Sequence, residues 1–563
     1  MLIFNKKYVK NCLKPAFTGP YLSKLSTSFL LFYRKNYSST AKTYYITTPI
    51  FYVNSDPHIG HLYTLVLADV IQRYIQLKDR STILRIGTDE HGIKVETAAS
   101  KSGLSPFLFC EKMSQRFKYL AELANIDYKG FIRTTDSKHC QSVCYFWKVL
   151  RDKGYIYQSK HEGWYAARDE TFYPSIAVKK IQNSDGTTST ISVETGAHVE
   201  WTSENNYHFR LSKFKNQLLD HYRKNPCFII PSSVQNNLYH VIEQGLNDIS
   251  ISRPSSRYSW GIRVPDDESQ TIYVWFDALL SYITSAGYPW SNSMLGHWPA
   301  NIHLIGKDIL RFHCILWPAL LLAADLPLPY QIVSHSHWTI NNIKMSKSLG
   351  NIVNPFSKIQ TFGADSVRYF LIKEGRLESD KNYDLSDFIR NYNVDLRGKL
   401  GNLLLRVCSS HFDLKRALLC SKEYDVDKNT LFQEFDANIN TIAEKVDDHM
   451  SKFQLHAALQ SIFHFITSIN KFFQDFEPWK YCNQPDKVDP VIYRTLEAIR
   501  LSAILLKPFI PDKAFEILNK LDVQPSRRSF KFCKLGLDKT YLQTQSKTNK
   551  LLFPELSSMY SEK

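Results

Sequence analysis

The sequence predicts an α/β fold, a doubly wound parallel sheet carrying an inserted connective module, followed by an all-α helix bundle. Three observations predict it. Short apolar strand-like runs alternate with helix-period segments after residue 43; that alternation breaks over about 150–262 and then resumes; from about 388 to 520 only three- and four-residue apolar spacing remains. A chain of 563 residues suits about three domains, and 44% apolar with 13% aromatic residues can fill their cores.

Tyr44 to Thr48 reads as the first strand, ended by Pro49, which has no N–H for a ladder. Helical periodicity runs from Gly60 to about Tyr74. Residues 81–86 (STILRI) form a second buried strand, followed by turn residues Gly87, Thr88 and Asp89 and a helix from about Gly92. This strand–loop–helix–strand order opens a Rossmann-type sheet. Within the insertion, the polar run Gln182 to Ser192 has Asn183, Ser184, Asp185 and Gly186 as a hairpin tip. Strands resume at Thr271–Trp275, Asn301–Ile305 and Tyr330–Ser334, with an apolar helix Ile309–Ala323 between the last two. The expected divisions are 1–40, 41–385, a helical 386–520 and a basic tail 521–563 containing Arg527, Arg528, Lys531, Lys534, Lys539, Lys547 and Lys550.

The first 41 residues hold seven basic side chains and no acid; the first acid is Asp56. Interleaved with Leu2, Ile3, Phe4, Tyr8, Val9 and Leu13, and then with serines, they read as an organellar transit peptide at 1–40 rather than a basic RNA-touching arm. Setting those seven aside leaves +9 of the formal +16, which suits a polyanionic partner. No run approaches the roughly 20 apolar residues of a membrane span. The ten cysteines are scattered without a CxxC pair, so a disulfide framework is not expected.

Two motifs carry the chemistry. His58-Ile59-Gly60-His61 sits between the first strand and its helix, where a doubly wound sheet binds nucleotides and a helix amino terminus offers N–H groups to phosphate. Gly60 would let an adenosine approach the backbone, and the histidines would donate to phosphate oxygens. Lys344-Met345-Ser346-Lys347-Ser348 follows the last sheet strand, where two lysines can neutralise charge on a departing pyrophosphate.

In this order, HIGH after the first strand and KMSKS after the last, the chain resembles the class I aminoacyl-tRNA synthetases from about residue 43 to 520. TTPIFYVNSDPHIGH, GTDEHG (87–92), YVWFDALLSY (273–282), HLIGKDILRFH (303–313) and FGADSVRYFL (362–371) resemble the methionyl-tRNA synthetases in particular. The resemblance implies a reaction: methionine and ATP give methionyl-adenylate, and the methionyl group then passes to tRNA(Met). It implies ATP with Mg2+, His58, His61, Lys344 and Lys347 as catalytic residues, and an ATP site completed by Gly60, Met345, Ser346 and Ser348. Asp89 would hold the methionine ammonium. Ile50, Tyr52, Trp275, Ala278, Leu279, Tyr282, Ile309, Phe312 and His313 would line the side-chain slot, with aromatic faces suited to a thioether. Arg253 maps onto the family's arginine before the pocket strand, and the resemblance implies that it too binds methionine, supporting the site with the opposite charge. Asn402 and Arg406, at i,i+4 on one helix face, and Pro478-Trp479 would read the anticodon, an aromatic stacking on a splayed base.

Where many relatives have zinc-binding CxxC knuckles, the segment GWYAARDETFYP has Ala166 and Asp169, so no structural zinc is expected. The resemblance and the amino terminus together imply the mitochondrial matrix, and a monomer is expected. A synthetase for another amino acid would differ in pyrophosphate exchange: cysteine activation calls for a zinc-thiolate pocket, and the branched aliphatic enzymes for an editing domain. A non-catalytic RNA-binding paralogue would be expected to lose the ATP motifs, whereas both are intact here.

Overall fold

The structure, a computed structural model, describes residues 43–166, 171–173, 175–182, 186–193, 195–290, 295–345, 350–419, 430–542 and 551–556. The expected transit segment 1–40, Asp169, the hairpin-tip residues Asn183 to Asp185, and Ser346, Lys347 and Ser348 lie outside them.

The central sheet is built from β1 (Tyr44–Thr47), β2 (Phe51–Tyr52), β3 (Thr82–Asp89), β4 (Gly130–Arg133), β5 (Ile229–Ile230), β6 (Ile302–Gly306) and β7 (Gln331–His335). Every pairing is parallel, in the order β5–β7–β6–β1–β3, with β2 extending the line of β1 along β3 and β4 on the other edge of β3. All four residues of β1 and all five of β6 are buried, as strands covered on both faces must be. From β1 the chain moves one way, to β3; from β6 it moves the other way, to β7. The carboxyl ends of β1 and β6 therefore flank the crevice where the winding reverses.

Helix α1 (Ile59–Leu77) leaves that crevice and returns the chain to β3. Its apolar surface is almost entirely buried, with Leu62, Leu65, Val66, Ala68 and Val70 fully enclosed. The region expected as the strand Thr271–Trp275 divides instead: a strand, Asp267–Ile272, ends there and helix α2 (Val274–Leu279) begins. Five of the six α2 residues are buried, so no amphipathic period marked the change. The expected helix Ile309–Ala323 is also interrupted. Residues Phe312–Leu316 take wider, i→i+5 turns before regular helix at Trp317–Ala323. Pro318 can give no N–H to the Cys314 carbonyl one turn back, and that carbonyl accepts the Tyr222 hydroxyl.

The insertion is a long antiparallel ribbon. Ile156–Ala166 pairs with Glu200–Phe209, and the hairpin Val178–Gln182 with Thr188–Ser192. Its outer part has a small apolar cluster of its own, Ala166, Tyr173, Ala197 and Val199.

After the sheet come α3 (Ala364–Glu374), α4 (Asn402–Val407), α5 (Thr430–Ser451), α6 (Leu455–Phe476), α7 (Pro485–Leu506) and α8 (Pro511–Lys520). Helix α6 buries Leu455, Leu459, Ile462, Ile466, Ile469 and Phe473 at helical spacing, and Phe435 of α5 stacks on Phe472 at 3.9 Å. Each such ring or branched chain removed from water contributes about 1.5–3 kcal/mol. Helix α7 is buried from Val488 to its end. The basic terminal segment packs back on it: Arg500, fully buried with Glu497, donates to the carbonyls of Phe532 and Lys534, and the N–H of Gly536 reaches Glu497.

Candidate active site

His58 is the amino-terminal cap of α1. Its Nδ1 accepts the N–H of Gly60 at 3.0 Å, while His61 Nδ1 accepts the N–H of His58 at 3.1 Å. The rings lie face to face with centroids 3.8 Å apart. Burial lowers both pKa values, that of His58 to about 4, assisted by the nearby Lys344 and His337 charges, and that of His61 well below the ordinary value. Both rings are therefore neutral near pH 7. Since each Nδ1 is an acceptor, each proton must sit on Nε2. Two Nε2–H donors thus flank the positive end of a 19-residue helix with no acid in its first turn. Gly60 has a local reason beyond substrate approach: a Cβ there would lie 2.8 Å from His58 Cε1.

The second motif meets the first. Val353, just beyond the KMSKS loop, accepts the backbone N–H of Ile59 at 3.1 Å. Lys344 and Met345 line the same cavity as His58, Gly60 and His61, a cleft of about 350 Å³ at the switch point. Lys344 is bound to Asp308 at 3.1 Å, and His337 Nε2 lies 3.1 Å from the other Asp308 oxygen. Burial would raise the Asp308 carboxyl, but His337 and Lys344 hold it well below the usual carboxylate range.

Ile50, Tyr52, Asp89, Trp275, Ala278, Leu279, Tyr282, Ile309 and His313 line that cavity too. Parallel pairing sets Tyr52 beside Asp89, and α2 presents Trp275, Ala278 and Leu279. At its apolar end His313 Nδ1 donates to the Ile309 carbonyl at 3.0 Å, and its Nε2 meets the Tyr282 hydroxyl at 2.6 Å. Burial lowers the His313 pKa to about 4.

Two expected slot residues stand behind the wall. Phe312 stacks flat on Trp275, centroids 3.9 Å apart, and supports it from outside. Arg253 is corrected further. Its buried guanidinium donates to Ser250 and to the Ser252 carbonyl, and lies 4.8 Å from the ring of Tyr273, which does line the cavity.

Gly87, Thr88 and Asp89, expected as a turn, instead complete β3, paired with β2 and β4, and the segment after Asp89 is tied to α2 through a buried carboxylate. Asp277 holds His91 and His139, each at 2.6 Å. Burial opposes its ionisation, yet the two imidazoles bring its pKa to about 2. Sequence reasoning missed Asp308, His337 and Tyr273. Asp308 stood inside the quoted segment HLIGKDILRFH; His335 and His337 alternate in SHSHW at the end of β7, a readable signal of two imidazoles at a strand's carboxyl end.

Far along the chain, α4 carries exposed Asn402 and half-buried Arg406. The Arg406 guanidinium lies 5.3 Å from the Trp479 ring and 4.9 Å from Phe473, and donates to Gln474 at 3.0 Å. Trp479 is 38% exposed, so its ring is open to a stacking partner. Pro478 is buried at the start of the turn Pro478–Lys480, where it orients Trp479 and offers little surface of its own.

Comparison with known proteins agrees with this geometry. A family model described as tRNA synthetases class I (M) matches residues 44–408, and one described as the anticodon-binding domain of tRNA ligase matches 433–551. The chain is 46% identical over 519 residues to a probable mitochondrial methionine--tRNA ligase of Neurospora crassa, covering 89% of this chain and 83% of that one. It is 44% identical over 526 residues to a protein of the same description from Schizosaccharomyces pombe, covering 92% and 96%. A solved structure of Mycobacterium tuberculosis methionyl-tRNA synthetase in complex with methionyl-adenylate superposes with a TM-score of 0.84 at 36% identity, over 92% of this chain and all of that one.

Proposed function

The chain belongs to the class I tRNA synthetases of the methionine type, and from that membership we propose that it ligates L-methionine to tRNA(Met) through methionyl-adenylate in mitochondrial translation. One observation carries the reading: the His58/His61 cap and Lys344 line the same cavity as Asp89, Trp275 and Tyr282. A phosphate-binding helix end and a slot for an unbranched side chain therefore open on one space.

In the first step a methionine carboxylate oxygen bonds to the α-phosphorus of ATP, and the bond to pyrophosphate breaks. Asp89 pairs with the ammonium and Tyr282 closes the apolar slot. The Nε2–H groups of His58 and His61 donate to phosphate oxygens, and Lys344, with Lys347 of the loop, stabilises charge growing on the leaving pyrophosphate. Mg2+ accompanies ATP. It would neutralise charge on the phosphates while His58, His61 and Lys344 orient them. In the second step the terminal ribose hydroxyl of the tRNA bonds to the acyl carbon and AMP leaves. Asn402, Arg406 and Trp479 take the anticodon bases.

The names of the fungal relatives and the basic, acid-free first 41 residues support a place in the mitochondrial matrix. The protein acts as a monomer in this reading. The test is ATP–pyrophosphate exchange with each amino acid in turn. Methionine should support exchange far above cysteine, leucine, valine and isoleucine; equal exchange with any of these would overturn the proposal.

A further inference from the structure

The guanidinium of Arg368, on α3, is 1% exposed and touches three separate parts of the protein. It pairs with Asp69 of α1 at 2.6 Å. It donates to the carbonyls of Pro508 and Phe509, in the turn between α7 and α8, at 2.8 and 3.1 Å. It also donates to the carbonyl of Ala124 at 3.2 Å. Asp69, itself fully buried, accepts the N–H of Asp127 and is paired with Arg73.

Two of these parts, and α3 itself, lead to sites. Ile59 and Asp69 are ten residues apart on α1, about 15 Å of rigid helix, and the His58/His61 cap stands at that end. Helix α3 follows the KMSKS motif in sequence, and Val353 between them accepts the backbone N–H of Ile59. Helix α7, 22 residues and so about 33 Å long, begins just after the Trp479 turn and ends just before Pro508 and Phe509. A second contact joins α1 to the bundle, where Tyr74 and Lys78 both donate to Asp447 of α5.

We propose that Arg368 and Asp69 are positioning residues that couple anticodon occupancy to the phosphate-binding end of α1. The guanidinium is the joint between two rods, α7 from the Arg406–Trp479 surface and α1 to the histidine cap. A buried charge pair suits this task. Its planar fork holds the Pro508 and Phe509 carbonyls and the Asp69 carboxylate in one geometry, and a displacement of the α7–α8 turn that broke any of these bonds would leave buried charge unmatched. Lysine keeps the charge but cannot make the fork.

This inference rests on the tRNA-ligating function proposed above, and the wild-type protein tests that first: no methionine-dependent exchange and no acylation would sink both. With wild type active, R368K is assayed three ways: pyrophosphate exchange without RNA, acylation of full-length tRNA(Met), and acylation of a shortened RNA lacking the anticodon arm. The expected result is about a tenfold loss of kcat/KM on full-length tRNA, with less than about a threefold change in exchange and on the shortened RNA. Equal losses on both RNAs, or no loss on either, would overturn the coupling and leave Arg368 a purely structural residue. Should R368K fail to fold, Tyr74→Phe, which removes one half-buried hydrogen bond at the far end of α1, serves in its place. It should show the same selective loss on full-length tRNA at smaller size, and an unchanged ratio between the two RNAs refutes the proposal.

Discussion

The hydrogen bond between Tyr282 and His313 has a fixed direction. His313 is neutral and gives its Nδ1 proton to the Ile309 carbonyl, so its Nε2 can only accept, and the Tyr282 hydroxyl must donate. The hydroxyl then turns lone pairs, not a proton, toward the rest of the slot. Tyr282→Phe strands the buried His313 acceptor, which costs about 1–3 kcal/mol of stability. It should also lower kcat/KM for methionine by about tenfold. Denaturant melts and exchange kinetics measure the two; a phenylalanine enzyme with wild-type methionine kinetics would contradict the role assigned to this pair.

Gly60→Ala tests the packing of the cap. Alanine is the better helix former, by about 1 kcal/mol in an open helix. Here its methyl would lie 2.8 Å from His58 Cε1, and the ring must leave its seat over the Gly60 N–H. We expect ATP-dependent exchange to fall by about one to two orders of magnitude, because a displaced donor no longer meets the phosphate. Retained exchange in a correctly folded G60A protein would show that the histidine cap is dispensable.

Lys344→Ala separates catalysis from stability. The Lys344–Asp308 pair leaves the lysine 63% exposed, and such pairs contribute about 0–1 kcal/mol. The melting temperature should therefore hardly move. Exchange should drop by about 100-fold or more, through kcat rather than KM for methionine. A fall confined to KM for methionine would place this lysine outside the phosphate site.

Trp479→Ala should act only through RNA. Its ring is partly exposed beside Arg406, and loss of one stacking surface weakens binding by about 1–3 kcal/mol. The KM for tRNA should rise accordingly while pyrophosphate exchange without RNA stays as in wild type. A change in exchange, with tRNA affinity intact, would remove Trp479 from the anticodon surface.

Acid should destabilise the fold through its buried imidazoles, above the pH at which ordinary carboxylates titrate. Burial lowers His58, His221, His313 and His335 to about 4 from an ordinary 6.5. Between those values the unfolded chain takes up protons that the native chain refuses, so stability falls as pH falls through 6.5 toward 4 and is constant above. Asp277, at about 2, adds its loss only below 3.8. Asp365 opposes the trend. Burial raises it to about 7, so its contribution is present below 3.8 and is lost as pH rises toward 7, one carboxyl against these imidazoles and those of His61 and His303, which burial also lowers. Thermal melts from about pH 8 to 4.5 should show a plateau and then a decline below about 6.5; a rise on acidification would contradict the burial of these rings.

Much of this was legible in residue order alone. Tyr44–Thr48, residues 81–86, Asn301–Ile305 and Tyr330–Ser334 all became strands of one sheet, because strands buried on both faces read as continuous apolar runs. His58, Gly60 and His61 met Lys344 and Met345 at one cavity, because two positions at the edge of a switch point are neighbours however far apart in sequence. Trp275 was read as strand because α2, buried almost all round, lacks the polar face that announces a helix. Arg253 was placed among the methionine-binding residues by resemblance, and only its hydrogen bonds show it directed at Ser250 and Ser252. Arg368 and Asp277 stood inside the quoted segments FGADSVRYFL and YVWFDALLSY, but their roles were not legible there, since what singles them out is which distant elements they join.

Among the described residues, the four-residue apolar cluster of the outer insertion is local: Ala166, Tyr173, Ala197 and Val199 close on Trp164, Ala177 and Val178. So small a core can melt, lengthen or be rebuilt at little expense to the crevice between β1 and β6. A substitution at one of these four residues should therefore perturb the lobe and leave the registration of β1 with β6 intact.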